Sequence, residues 1–338
     1  MNRNTFTMNQ AILLDKRPLG RPQLSDFKFV TEALPEIEAD EIMLKTSYVS
    51  VDPYLRGRMN SAKSYIAPFE LQEPISSGVI AEVIESRHKR FQKGDFVSGM
   101  LEWKEFQKSR GEGLIKVDPG KAPLSAYLGV LGMTGLTAKL GLSEIGLPSE
   151  GETMVVSGAA GAVGSVAGQI GKIMGCRVVG IAGSDEKVEM LKSEFGFDEA
   201  INYKTTPHMR KAIAAACPKG VDIYFDNVGG TISDAVMVHI NQFARIVVCG
   251  AISVYNETSL PQSMSIQPLL IRNSALMQGF IVGNYQAKFR EAMIQLSRWL
   301  AKGKLKYTET IVEGFDQIPQ AFIDLFDGRN KGKLVVKI

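Results

Sequence analysis

Apolar and polar positions along the 338-residue chain follow two different rhythms, and the change comes near Leu124. Before it, short alternating or wholly apolar runs at Gln10–Leu14, Glu41–Val51, Gly78–Glu85, Asp95–Leu101 and Gly113–Val117 predict β-strands. Proline and glycine punctuate them, Gly94-Asp95 reads as a tight turn, and no long helical period intervenes. A small barrel or sandwich of antiparallel strands is expected there. After Leu124, apolar runs at Thr153–Ser157, Arg177–Ala182, Glu199–Asn202, Val221–Asp226, Arg245–Cys249 and Leu276–Val282 alternate with helix-period segments at Val163–Met174, Asp185–Phe195, Pro207–Ala216 and Gly230–Ile240. That alternation predicts βαβ units around a buried parallel sheet, the doubly wound α/β class. A helix at Lys288–Lys302, another near Pro319–Phe326 and a last strand at Lys333–Ile338 follow. The expected division is a β-rich domain over 1–125, the α/β domain over 126–305, and a segment over 306–338 that returns to the first domain.

The sharpest local signal is Ser157-Gly158-Ala159-Ala160-Gly161-Ala162-Val163-Gly164, between a predicted strand and the helix it opens. Only small residues line this turn, so backbone N–H groups can approach a pyrophosphate, and the helix N-terminus adds its dipole and free donors. A glycine triplet alone is weak evidence; strand, loop, helix and next strand at this spacing supply the confirming context. An NAD site places Asp or Glu at the end of that next strand, about 20 residues on, for the ribose 2′-hydroxyl. Here the strand ends Ile181-Ala182-Gly183-Ser184, with Lys187 one turn into the following helix, and Asp185 reads as a helix-start residue. A hydroxyl and an ammonium suit a 2′-phosphate, and Tyr203 past the third strand can add a phenolic donor. NADPH is the cofactor expected.

Composition narrows the rest. Apolar residues at 45% and charged residues at 22% are ordinary for a globular chain. A net charge of +3 points to no nucleic-acid or membrane partner. Cys176, Cys217 and Cys249 form neither a disulfide framework nor a metal motif. Met1–Gln10 is polar, without the apolar core of a secretory signal, and no run approaches the roughly 18 apolar residues that cross a bilayer. A cytoplasmic location is the expectation.

Several segments together resemble the zinc-independent medium-chain reductases. They are Val51-Asp52-Pro53-Tyr54-Leu55-Arg56-Gly57-Arg58-Met59, Leu131–Ala138, Val155–Lys172, Ala182–Lys187, Phe225–Gly230 and Cys249–Asn256. Within that family the chain is similar to the branch of prostaglandin reductases, plant alkenal double-bond reductases and bacterial curcumin reductases. The resemblance implies a GroES-like catalytic domain, a Rossmann domain, a cleft between them and a homodimer. It carries cofactor roles onto Met133, Thr137, Ala160, Gly161, Ala162, Val163, Ser184, Lys187, Tyr203, Asn227, Cys249, Gly250, Ala251, Ile252, Ser253, Tyr255, Phe280, Ile281, Val282 and Asn330. Gly164 and Gly183 join them from the loop and strand-end motifs. Two positions depart from the family pattern: Thr134 stands where a proline usually follows the methionine, and Arg272 stands where some relatives place a substrate-facing tyrosine.

Zinc-dependent relatives need Cys or His ligands in the first domain, where a catalytic zinc takes three protein ligands. Met1–Leu124 holds no cysteine and one histidine, His88, in an apparent turn; His208 and His239 fall in the second domain. The protein must then polarise its acceptor with hydrogen bonds, which suits conjugate reduction of an α,β-unsaturated aldehyde or ketone. The candidate donors to the developing enolate oxygen are Tyr54, Tyr65, Tyr255 and the cofactor's ribose hydroxyl. A zinc-independent quinone reductase is the rival within enzymes. An alcohol or ketone oxidoreductase is disfavoured, since no tyrosine is followed by lysine at the fourth place. A non-catalytic NADPH-binding sensor or a crystallin-like protein is the rival from another class.

Overall fold

The computed structural model describes residues 8–62, 64–259 and 261–338. In the first part of the chain it contains β1 (Met8–Leu14), β2 (Phe27–Ala33), β3 (Ile42–Ser50), α1 (Leu55–Arg58), β4 (Ser76–Ser86), β5 (Phe96–Glu102), β6 (Phe106–Ser109) and β7 (Ile115–Val117). Then come α2 (Met133–Gly141), β8 (Thr153–Ser157), α3 (Gly164–Ile173), β9 (Arg177–Ala182), α4 (Asp185–Ser193), β10 (Glu199–Asn202), α5 (Met209–Ala216), β11 (Val221–Asp226), α6 (Gly230–Met237), β12 (Ile240–Val248), α7 (Gln267–Asn273), β13 (Leu276–Gly279) and α8 (Phe289–Ala301). The chain continues with β14 (Glu309–Glu313), α9 (Ile318–Leu325) and β15 (Lys333–Lys337). Two compact units result. One takes residues up to Leu128, Thr310–Arg329 and Leu334–Ile338; the other takes Gly129–Glu309 and Asn330–Lys333.

In the first unit, β1 and β2 form a two-stranded antiparallel sheet, and a second sheet runs β14-β15-β3-β4-β5-β7 with β6 also paired to β3. The late strand β15 lies antiparallel on β3, with Val335 opposite Ser50. The core beneath holds Leu44, Leu55, Met59, Trp103 and, from α9, Ile318 and Phe322, all nearly free of solvent. The indole of Trp103 is satisfied inside that core by donating to Ser77 Oγ at 2.9 Å, as a buried indole N–H requires. Ser77, itself buried, belongs to the stretch Pro74–Gly78 that leads into β4. Its hydroxyl is here an acceptor for tryptophan.

The second unit is a six-stranded parallel sheet in the order β10-β9-β8-β11-β12-β13. Numbered from its own first strand this is 3-2-1-4-5-6, the Rossmann order, with the topological switch point between β8 and β11. The four strands from β8 to β11 are buried on both faces, which is why their sequences read as nearly unbroken apolar runs. Val155, Val179, Ile181 and Tyr224 on one face pack against α5 and α6. On the other face, Met154 and Val178 meet α3 at Gly171.

Two expected strands are corrected. The run at Arg245–Cys249 begins earlier, at Ile240, and ends at Val248. The run at Leu276–Val282 keeps strand geometry only to Gly279, and Val282 opens a 3-10 turn. The reason is packing: the Phe280 ring lies so close to Gly141 that a side-chain carbon there would stand 2.7 Å from it, and the chain bends to place it.

Candidate functional site

At the switch point, the phosphate loop is built by close approach. Gly164 opens α3 where a Cβ would meet the carbonyl oxygen of Gly158 at 2.3 Å, so only glycine lets the helix start against the loop. Gly161, Ala162 and Val163 are partly open to solvent while Ala159 and Ala160 are buried. Beside the loop lies a hub that the sequence motif contained without a role. Asp226, buried at the end of β11, accepts from Ser157 Oγ at 2.7 Å, Tyr224 OH at 2.9 Å, and the backbone N–H of Val228 and Gly229, each at 2.9 Å. Four donors offset the cost of burying that carboxylate. Asn227 is tied in twice, its N–H to Ser157 Oγ at 2.9 Å and its side chain to the Ser157 carbonyl at 2.8 Å.

The loop after β12 is laced to the same place. Cys249 and Gly250 donate to the Asp226 carbonyl at 2.8 and 3.1 Å, Ile252 to Asn227 at 3.3 Å, and Ser253 to Val228 at 3.1 Å. Burial pushes the Cys249 thiol up to about 12, so it is a packed thiol and no nucleophile. Tyr255 closes the loop by accepting from the Ala251 N–H at 3.2 Å. Along α2, Thr137 Oγ1 donates to the Met133 carbonyl at 2.8 Å, and Thr134 Oγ1 to Gly129 at 2.9 Å. Val282 packs on Leu136 and Leu140. Thus α2 gathers Met133, Thr137, Phe280 and Val282, and half-exposed Ile281 lies between the last two.

At the end of β9, Ser184 caps α4, its hydroxyl accepting from the Lys187 N–H at 3.3 Å. The Tyr203 ring lies against Gly183, where a side-chain carbon would stand 2.9 Å away. The acids nearby are both occupied: Asp185 accepts from Asn202 Nδ2 at 2.7 Å, and Glu186 is ion-paired with Lys331. Burial chiefly, then the charges of Lys204 and Lys331 against the pull of Glu186, hold the Lys187 ammonium below the usual lysine range. This donor set of hydroxyl, phenol and crowded ammonium groups fits a phosphate monoester better than a sugar hydroxyl.

Lys331 arrives on a strap, residues 330–333. The Gly332 N–H donates to the Ala160 carbonyl at 2.8 Å, and Gly332 bridges Gly161 in parallel β fashion. Gly332 has φ +60°, and a Cβ there would lie 1.7 Å from the Thr308 oxygen, so the close turn demands glycine. Asn330 Nδ2 donates to Gly332 O at 2.9 Å. Asn330, onto which the resemblance carries a cofactor role, thus lies on the strap that is tied to the phosphate loop.

In the first unit, Tyr54 precedes α1 on a turn clamped by three arginines. Arg17 donates to the carbonyls of Met59, Asn60 and Phe69 at 3.0 to 3.2 Å. Buried Arg56 donates to Gly20 O at 2.8 Å and Asn60 Oδ1 at 2.6 Å. Arg58 lies 3.9 Å over the Phe69 ring and donates to Ser76 Oγ at 3.2 Å. Burial, then the Asp52 charge, pushes the Tyr54 phenol well above its usual range. Among the described residues no partner holds its hydroxyl, in contrast to Tyr224 and Tyr255. Tyr65 is 61% exposed on the loop 60–68, in which Lys63 lies outside the described residues. Tyr54 and Tyr65 thus stand in the first unit and Tyr255 in the second. Arg272 is exposed in the last turn of α7.

Comparison with known proteins agrees with this construction. Residues 10–117 match the family described as N-terminal domain of oxidoreductase, and residues 162–299 match the one described as zinc-binding dehydrogenase. Among the described residues, no group of three or more His, Cys, Asp or Glu is arranged to hold a metal ion. The putative NADP-dependent oxidoreductase YfmJ of Bacillus subtilis is 58% identical over 331 residues, 97% of each chain. The NADPH-dependent curcumin reductase of Escherichia coli is 40% identical, covering 98% of this chain and 97% of its own. Among solved structures, CurA from Vibrio vulnificus in complex with NADPH superposes with a TM-score of 0.93 at 43% identity, covering 97% of this chain and 98% of that one. The chain therefore belongs to the medium-chain dehydrogenase/reductase family, in the branch that holds the curcumin, prostaglandin and alkenal reductases.

Proposed function

We propose that this protein is an NADPH-dependent reductase of the carbon–carbon double bond in α,β-unsaturated aldehydes and ketones. The observation that carries the reading is full-length similarity to enzymes named for that chemistry, which include curcumin reductase, prostaglandin reductase 1 of Bos taurus and 2-alkenal reductase of Nicotiana tabacum. The phosphate loop and the Ser184, Lys187 and Tyr203 cluster supply the matching cofactor site. When bound, NADPH supplies the hydride that adds to the β-carbon. The chain's own residues then handle the charge that develops on the carbonyl oxygen. Tyr54 is proposed as the donor to that oxygen, since burial keeps its phenol protonated and its hydroxyl has no partner among the described residues. Tyr65 is proposed as part of a lid, and Tyr255 as a loop-bound donor whose own proton is still available. A proton reaches the α-carbon from solvent. The first unit serves as the catalytic domain and the second as the cofactor domain.

With a simple enal and NADPH, mass spectrometry of the product is expected to give the saturated aldehyde. An allylic alcohol as main product, or turnover with benzoquinones alone, would overturn the assignment.

The protein is further proposed to act as a cytoplasmic homodimer on small molecules. Its cysteines are unpaired, in keeping with a reducing compartment, and among the described residues no helix is long and apolar enough to cross a membrane. Strand β13 pairs with β12 on one side and forms the sheet edge on the other. Leu276 there is 49% exposed and Ile271 on α7 is 79% exposed. A bare apolar edge invites a second strand. Light scattering at micromolar concentration is expected to give twice the 36.9 kDa chain mass. A single-chain mass would refute the dimer.

A further inference from the structure

The strap brings a cation to the cofactor site that no part of the local α4 motif contains. Lys331 follows α4 by more than a hundred residues in sequence, yet its ammonium contacts the Glu186 carboxylate in that helix's first turn. The strap is fixed there by its own backbone, through Gly332 N–H to Ala160 and Lys333 N–H to Thr308 at 3.0 Å. Lys331 is therefore delivered by a rigid turn, beside both the phosphate loop and the α4 start. Burial first, then the like charges of Lys204 and Lys331, lower the affinity of Lys187 for its proton. Three ammonium groups outnumber the two carboxylates of the first turn, Asp185 and Glu186, and Asp185 is turned to Asn202. A dianion placed among them relieves the repulsion.

We propose that Lys331 is a specificity-determining residue for the cofactor's 2′-phosphate, held by Glu186 in the free protein and exchanged onto the phosphate when NADPH binds. Glu186 then has two effects. It orders the lysine beforehand, and it competes with the phosphate for it. This deepens the NADPH reading above and rests on it. The pair is partly exposed, with 36% of the Lys331 side chain and 70% of the Glu186 side chain accessible, so its weight is that of a surface charge interaction.

The test is calorimetric binding of NADPH, NADH, 2′,5′-ADP and 5′-AMP to the wild type, Lys331→Met, Lys331→Arg and Glu186→Gln. Lys331→Met is expected to weaken NADPH and 2′,5′-ADP about fivefold, the size of an exposed pair, and to leave NADH and 5′-AMP unchanged. Lys331→Arg should restore the affinity, and Glu186→Gln should tighten NADPH by about twofold. The Lys331→Met effect should fade at high salt. If Lys331→Met weakens NADPH and NADH alike, the residue serves only to fasten the strap and the proposal fails; it fails equally if neither changes. A wild type that does not distinguish NADPH from NADH instead removes the cofactor reading itself.

Discussion

Lys187→Ala is expected to raise the NADPH Michaelis constant by roughly tenfold to a hundredfold and to leave that for NADH almost untouched. A charge-assisted bond to a phosphate contributes about 1.5–3 kcal/mol, and each 1.4 kcal/mol is a factor of ten. The upper part of that range applies because Lys187 is half-buried and crowded by Lys204 and Lys331, which together depress its proton affinity. Its ammonium gains more from a dianion than a fully solvated lysine does. The backbone N–H of Lys187 stays bonded to Ser184 Oγ whatever the side chain, so the cap of α4 survives the substitution. Steady-state kinetics with both cofactors decide. Equal weakening of the two would mean that the α4 start binds a part they share, and the 2′-phosphate assignment would fall.

Tyr54→Phe is expected to lower turnover by roughly a hundredfold while NADPH affinity holds, because a preorganised donor to a developing oxyanion is worth about 2.7–4 kcal/mol. The substitution is clean on structural grounds. The phenol hydroxyl has no partner among the described residues, and the ring packs on the first unit's core with or without it. Thermal stability should therefore stay within error of the wild type. The turn itself is held by Arg17, Arg56 and Arg58 through carbonyl groups, not through Tyr54. Tyr65→Phe is the companion, expected to move the Michaelis constant for the enal more than turnover. Unchanged rates for both would transfer the donor role to Tyr255 or to the cofactor ribose.

Much of the second unit was legible in the sequence. Strands β8 to β11 have the bounds their apolar runs predict, because a parallel strand buried on both faces leaves little freedom in composition. The phosphate loop and the start of α4 at Asp185 were equally plain, since each is a local motif within a few residues. The misses have three separate causes. Strand β2, at Phe27–Ala33, exposes most of its residues and so carries no clean alternation. Helix α2, at Met133–Gly141, includes Gly135, where a Cβ would lie 2.0 Å from the Val130 oxygen; a small-residue stretch chosen for contact does not advertise a helix. The Ser157–Asp226 hub and the Lys331–Glu186 pair join residues far apart in the chain. Pattern reading along one dimension cannot pair them without the sheet order that brings them together.

The place of β15 sets an order of assembly. The first unit's sheet runs β14-β15-β3, so the Tyr48–Ser50 end of β3 waits for its β15 neighbour until residues 333–337 have been made. Residues 129–309, the body of the second unit, have emerged by then. Domains made in sequence usually mature in sequence, but here the later-made unit can reach its native pairing first, while the earlier one keeps an open strand. The strap over the phosphate loop immediately precedes the same strand. Closure of the first unit and fastening of the loop at Ala160–Gly161 thus fall together, both waiting on residues 330–337.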